Sequence, residues 1–268
     1  MNNSVIIIPF YKDQLTDNEE VSLRQCFKVL SKYPIIAIKP NSLDLTFISE
    51  DLPFTDVISF DDSYFKSVNG YNQLMLSSLF YRAFLEYEYM LIYQLDAFVF
   101  SDQLQYWCDQ NYDYIGAPWL RPFEHKNTIE KFILHIKSWF YRRYNVHRSG
   151  VPNAKQFIKS VGNGGFSLRR IAKFHELCLK FQGLAESYIS HVESEFNEDI
   201  FWSIAVNRKE KNLNIPCYKT ALGFSIETFP ELAFKLNHDR LPFGCHAWDK
   251  HLDFWKLKLK GYGYLADA

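Results

Sequence analysis

Cysteine is scarce in this chain of 268 residues: Cys26, Cys108, Cys178, Cys217 and Cys245 are widely spaced, and no C-x-x-C occurs. An odd, scattered set argues against a disulfide framework and a zinc knuckle, and fits a reducing cytosol. An excess of charge of one sign is also lacking. The net charge is −1, so no overall field points to nucleic acid as a partner. No apolar run reaches the length that spans a bilayer; the longest is interrupted by Gln94 and Asp96. The N-terminal stretch Val5 to Pro9 is too short, and lacks the basic flank, for a signal peptide. A cytoplasmic protein, soluble or membrane-peripheral, is the expectation. The usual nucleotide loops are missing too. Pro9 to Gln14, after the first apolar run, contains no glycine. That excludes the dinucleotide G-x-G-x-x-G and the phosphate-binding G-x-x-x-x-G-K, and it disfavours a nucleotidylyltransferase, which must grip a triphosphate there.

Aromatic residues are in surplus, at 18% of the chain. Such rings either fill the core or line a pocket, where flat faces stack on sugars. The continuous run Val5-Ile6-Ile7-Ile8 reads as a buried parallel strand. Asn18 to Leu30 follows as an amphipathic helix with acids in its first turn. Pro34 to Ile38 and Val57 to Phe60 read as strands, Asn72 to Tyr87 as one buried helix, and Met90 to Phe100 as a central strand. Leu104 to Asp109 reads as a short helix, Tyr114 to Ala117 as a strand end, and Ile171 to Phe181 and Glu198 to Val206 as helices. This alternation predicts an α/β fold with a mostly parallel central sheet flanked by helices, in a single domain spanning 1–268. Residues 121 to 160 break the rhythm, with Phe132, Ile133, Ile136 and Phe140 at helical spacing among basic residues.

Three segments carry chemistry. In Leu91 to Phe100, Asp96 is a lone carboxylate in an apolar run. Burial there is costly unless it meets a cation, a ligand or a partner; the structural alternative is a helix cap or a pair with an arginine such as Arg82. In Val161 to Arg169, glycines at 162, 164 and 165 permit close backbone approach. Exposed amides there, at Gly164 and Gly165, can hold a phosphate or a sugar hydroxyl, and Arg169 or Arg170 can neutralise a departing diphosphate; the alternative is a plain turn with exposed arginines. Glu198-Asp199 opens a helix, where a carboxylate is either a catalytic base or an ordinary first-turn acid. His246, between a glycine turn and Trp248, is a candidate metal ligand or a structural histidine.

The motifs Tyr71-Asn72-Gln73-Leu74-Met75, Leu91 to Phe100, Asp113 to Trp119, Val161 to Arg169, Glu198 to Phe201 and Pro242 to His246 occur in this order. Together they resemble a group of bacterial and fungal proteins classed as GT-A-like glycosyltransferases. The resemblance implies a GT-A-like sheet with a basic helical insertion at 121–160. It implies transfer of a sugar from a nucleotide-sugar donor to a hydroxyl of a glycan or lipid-linked acceptor, inverting, in synthesis of surface polysaccharide such as O-antigen or capsule. Carried over residue by residue, Asp96 and His246 hold Mn²⁺ or Mg²⁺ and Asp199 is the catalytic carboxylate, with Glu198 contacting the acceptor. Asp96, Gly164, Gly165, Arg169, Tyr11 and Asn72 face the donor, and Trp119, Trp202 and Trp248 stack on sugars. The acidic triplet of the family is reduced here to Asp96 after Gln94-Leu95. A retaining transferase and a carbohydrate-binding protein without catalysis are the alternatives. Lys126 to Arg148, with six Lys or Arg and one Glu among aromatics, is a candidate contact with an anionic membrane face, or else a lid or an oligomer contact.

Overall fold

The computed structural model of the chain describes residues 4–122 and 127–261. Its strands are β1 (Ser4–Pro9), β2 (Ile35–Pro40), β3 (Asp56–Phe60), β4 (Tyr89–Tyr93), β5 (Phe98–Val99), β6 (Tyr114–Ile115), β7 (His147–Arg148), β8 (Val151–Pro152), β9 (Phe166–Arg170), β10 (Ser225–Ile226) and β11 (Gly244–Cys245). The α-helices are α1 (Asp17–Leu30), α2 (Val68–Met75), α3 (Ser78–Arg82), α4 (Leu104–Asp109), α5 (Thr128–Arg143), α6 (Ile171–Lys180), α7 (Gln182–Ile189), α8 (Glu198–Ile200), α9 (Tyr218–Phe224), α10 (Pro230–Leu236) and α11 (Leu252–Gly261).

The central sheet runs β3-β2-β1-β4-β9-β6. Its first four strands are parallel, and β9 lies antiparallel to both β4 and β6. β1 is buried on both sides, as its unbroken β-branched run requires. Val5 and Ile7 point into a core with Tyr81, Phe174 and Trp202. Ile6 and Ile8 point the other way, into a core with Leu23, Cys26 and Leu30 of α1. α1 starts where its residues can close a capping box: Thr16 Oγ1 accepts from the Glu19 amide, and the Glu19 carboxylate accepts from the Thr16 amide. A smaller sheet has the order β10-β11-β5.

Two expected elements differ. Asn72 to Tyr87 is two short helices, because Ser77 interrupts the first and caps the second: its hydroxyl donates to Leu74 O and accepts from the Phe80 amide. Met90 to Phe100 is not one strand. β4 stops at Tyr93, a turn closed by the Ala97 amide on Gln94 O follows, and β5 joins the smaller sheet. Within 121–160 the expected helix is α5, followed by the β7–β8 hairpin; residues 123–126, with Lys126, lie outside the described residues. Among the described residues no helix is long and apolar enough to cross a membrane.

Candidate active site

The turn after β4 sets the site. Gln94 donates its amide to Gly165 O at 2.8 Å, which ties the turn to the segment leading into β9. Asp96 therefore sits at the carboxyl end of a parallel strand, where sheets of this class bind ligands, and not in mid-strand. Its carboxylate is partly open to solvent. β11 lies beside β10 in parallel register, Ile226 against Cys245, so the residues just beyond each strand, Glu227 and His246, become neighbours.

His246 is held from both ring nitrogens. Nε2 lies 3.0 Å from Asp96 Oδ1 and 3.2 Å from Gln94 Oε1. Nδ1 lies 3.2 Å from Glu227 Oε1 and 3.0 Å from Asn163 Nδ2. Burial disfavours a charged imidazole, but the hydrogen bonds and charges of Asp96 and Glu227 outweigh it and push the pKa up to about 10. Both carboxylates are held below their ordinary values: burial pulls the other way, and His246 overrides it. Glu227, Gln94 and Asn163 were not among the predicted site residues. Only the pairing of β10 with β11, a non-local fact, marks Glu227.

The glycine-rich segment has a different task from the expected one. A Cβ on Gly165 would lie 2.0 Å from His246 Nε2, and one on Gly164 would lie 2.1 Å from Glu198 Oε1. The glycines let side chains reach the backbone. The Gly165 amide is already spent on Asn163 Oδ1 at 2.9 Å, and Gly164 faces a carboxylate. The Gly165 amide is therefore not offered to a phosphate, whereas no partner of the Gly164 amide is seen among the described residues.

Arg169 is also corrected. It is fully buried and cannot meet a diphosphate. Its guanidinium donates to Glu198 Oε1 at 2.9 Å, Tyr81 Oη at 2.9 Å and Ser167 Oγ at 3.1 Å. It lies over the rings of Tyr114 and Phe174. Glu198, its partner, is buried with it, and its Oε2 has no hydrogen-bond partner among the described residues. Asn72 does not face a donor: its Oδ1 accepts from the Glu198 amide and its Nδ2 donates to Asn197 Oδ1, which fixes the start of α8. Trp202 and Trp248 are core residues packed on Phe174 and Phe98, with no face left for a sugar. Trp119 is half-buried, and Tyr11 stands exposed beyond β1, its ring edge-on to Tyr71.

Asp199 faces a recess of about 440 Å³ lined also by Trp119, Leu120, Arg121, Asn197 and Ile200. Its pKa is raised to about 7, first by burial and then by the negative charges of Glu198 and Glu227; the hydrogen bond from the Ile200 amide and Arg169 act against the rise. A carboxylate poised near neutrality is suited to proton transfer.

Among the described residues no group of three His, Cys, Asp or Glu side chains is placed to hold a metal ion. The oxygens of Asp96 and Gln94 do converge with His246 Nε2. That set fits a hard divalent cation that keeps most of its waters, provided Nε2 releases its proton. The remaining ring nitrogen faces Glu227, the usual orientation of a ligating histidine.

Two stability measurements follow from this geometry. Replacing Arg169 by Met strands the Glu198 charge and should cost about 3–5 kcal/mol in urea unfolding; adding Glu198→Gln should recover much of the loss. A smaller loss for the double variant marks a coupled pair, and additive losses exclude one. Asp199 acts through pH. The folded state keeps its proton up to about pH 7, whereas the unfolded chain releases it near the ordinary aspartate value. Stability should therefore fall as pH rises from about 4 to 7, by at most a few kcal/mol. Asp199→Asn should flatten that part of the pH–stability curve, and an unchanged slope would remove Asp199 as its source.

Solved structures share this fold. The galactosyltransferase LgtC, in complex with donor and acceptor sugar analogs, superposes with a TM-score of 0.53 at 12% identity, covering 90% of this chain and 86% of that one. Mouse xyloside xylosyltransferase 1, in its apo form, gives 0.50 at 10% identity, covering 90% and 96%. Core-mannan synthase A from Aspergillus fumigatus, in an Mn/GDP form, gives 0.49 at 12% identity, covering 82% and 73%. On the first two of these the fold is of the GT-A type. No curated protein sequence matches the chain. The profile of one family matches residues 54–246, and by that match the chain belongs to the family described as protein of unknown function (DUF5672).

Proposed function

We propose that the protein transfers a sugar from a nucleotide-sugar donor to a hydroxyl group of a glycan or lipid-linked acceptor. The observation that carries this reading is the convergence at the carboxyl end of β4: Asp96, His246 and Glu227 form one hydrogen-bonded array, and Asp199, within electrostatic reach of Glu227, has a pKa near neutrality.

Asp199 accepts the proton of the acceptor hydroxyl. The acceptor oxygen then bonds to the anomeric carbon as the bond to the donor diphosphate breaks, and the sugar inverts. Asp96 and His246 would hold Mn²⁺ or Mg²⁺, which when bound supplies positive charge beside the donor diphosphate. Glu227 fixes the ring orientation of His246. Trp119, on the wall of the Asp199 recess, stacks on a sugar, and Tyr11 borders the donor. An acceptor carried on a lipid brings the enzyme to an anionic membrane face through the α5 region.

Three outcomes test this. Asp199→Asn should lower transfer by roughly 10²-fold or more and leave donor binding nearly intact. Full activity would take Asp199 out of the mechanism, and retention of anomeric configuration would end its role as direct base. Transfer by the unaltered protein should rise with pH through an apparent pKa near 7, because only the ionised Asp199 accepts a proton. In a melting screen of UDP-, GDP-, CMP- and dTDP-sugars, one class should stabilise the protein more with Mn²⁺ than without, and Asp96→Asn should abolish the difference. Stabilisation without turnover across the panel would identify a binding protein instead.

A further inference from the structure

Behind α5 lies a cavity of about 760 Å³, which adjoins the Asp199 recess through Leu120, Arg121 and Ile158. Arg121, Lys131, Arg142, Arg143, Lys159 and Arg208 line it, and among the described residues no Asp or Glu does. The arginines are held by neutral groups. Arg142 donates to Gln156 O at 3.0 Å, Ser138 Oγ at 3.2 Å and Ile158 O at 3.3 Å. Arg208 donates to Arg142 O at 3.1 Å and Gln156 Oε1 at 3.3 Å, and Arg143 donates to Arg208 O at 2.8 Å. Among the described residues none of these three has a carboxylate partner. Arg142 is partly withdrawn from water, and neutral acceptors offset that cost less well than a negative charge would. An anion in the cavity relieves it. The wall also carries apolar side chains, Leu134, Ile204, Ile215, Leu232 and Leu236, which suit a hydrocarbon chain attached to that anion.

The outer face of the same helix is unusual. Ser138 is its buried position, at 5% exposure. On the opposite side Ile129, Ile133, Ile136 and Phe140 form a stripe, exposed at 66%, 45%, 48% and 48%. Water-facing helix surfaces are normally polar. A continuous apolar stripe marks a surface that something covers. Cations on the flank, an apolar stripe outward and a basic cavity behind together complement an anionic lipid surface.

We propose that α5 lies in such a surface and that the cavity behind it takes the phosphate group of one lipid molecule, whose chain runs along the apolar wall. This deepens the membrane contact of the preceding reading by assigning the cavity a ligand of defined chemistry. It does not require sugar transfer.

The test uses the full chain. Co-sedimentation is measured with vesicles of phosphatidylcholine alone and of phosphatidylcholine doped with phosphatidic acid. Binding should require the doped vesicles. Arg143→Gln with Lys159→Gln, and separately Arg142→Gln with Arg208→Gln, should weaken it roughly tenfold or more. Ile133→Ser with Ile136→Ser, at exposed positions that leave the fold intact, should weaken it as well. A short-chain phosphatidic acid below its micelle concentration should raise the melting temperature, and inorganic phosphate should do so far less. Equal binding to both vesicle types, no binding, or wild-type binding by the stripe variant and by a folded arginine variant would overturn the proposal. So would an equal melting shift from inorganic phosphate, which makes the ligand a free anion, or a dimer in sedimentation that the stripe variant abolishes, which makes the covering surface a second copy. Nucleotide-sugar melting shifts are read separately, so a donor response without vesicle binding sinks this inference and leaves the transfer reading standing.

Discussion

The ion pair of Arg169 and Glu198 is the constraint around which the candidate site is built. Neither side chain meets water appreciably, at 0% and 4% exposure. Removing two charges from solvent costs several kcal/mol each unless geometry and hydrogen bonds compensate. Tyr81, Ser167 and the ring faces of Tyr114 and Phe174 provide that compensation on the arginine side. The pair joins β9, at the centre of the antiparallel half of the sheet, to the first residue of α8. Asn72 of α2 holds the same residue by its backbone amide. With Glu198 fixed from two sides, Asp199 has little freedom in where it points. The charge of Glu198 also helps raise the pKa of Asp199, while Arg169 partly offsets the rise. Position and proton affinity of the proposed base thus share one origin.

The glycines before β9 belong to the same constraint. Glu198 reaches Arg169 by passing over Gly164, and His246 packs on Gly165. Asn163, in a left-handed conformation at φ 81°, turns its side chain back to accept the Gly165 and Phe166 amides while its nitrogen meets His246. One short segment therefore supports the Arg169–Glu198 pair on one side and the Asp96–His246–Glu227 array on the other. Gly164 and Gly165 matter first for what they leave out, a Cβ.

The scaffold was legible where local chemistry and pattern agree. Val5 to Ile8 could only be a doubly buried strand, and the acids after Thr16 marked the start of α1. Asp96 stood out because an unpaired acid in an apolar run is costly, and it does sit at the mouth of the sheet. What could not be read were facts set by pairing between distant segments. Arg169 carries the same polar signature whether it faces a diphosphate or Glu198. Trp202 and Trp248 look like sugar platforms until their neighbours, Phe174 and Phe98, are known. Glu227 has no local signal, since its role exists only because β10 runs beside β11. Ser77 shows the opposite failure: helical spacing on both sides hid a residue whose hydroxyl competes with the backbone and divides α2 from α3.

Two clusters of charge in this molecule are treated in opposite ways, and the contrast is informative. The imidazole of His246 lies between two carboxylates, so the array satisfies itself and its acids stay ionised. The arginines behind α5 are held by carbonyls, an amide and a hydroxyl, which position them without cancelling their charge. Side chains fixed in this way are ready for an anion but receive none from the described chain. Burial then acts on Arg142 unopposed and depresses its pKa, whereas on Arg169 the carboxylate of Glu198 reverses the same effect. Arg169 is fully buried and Arg142 only partly, yet burial lowers proton affinity only where no carboxylate opposes it, which separates a guanidinium whose partner is built into the fold from one whose partner must come from outside.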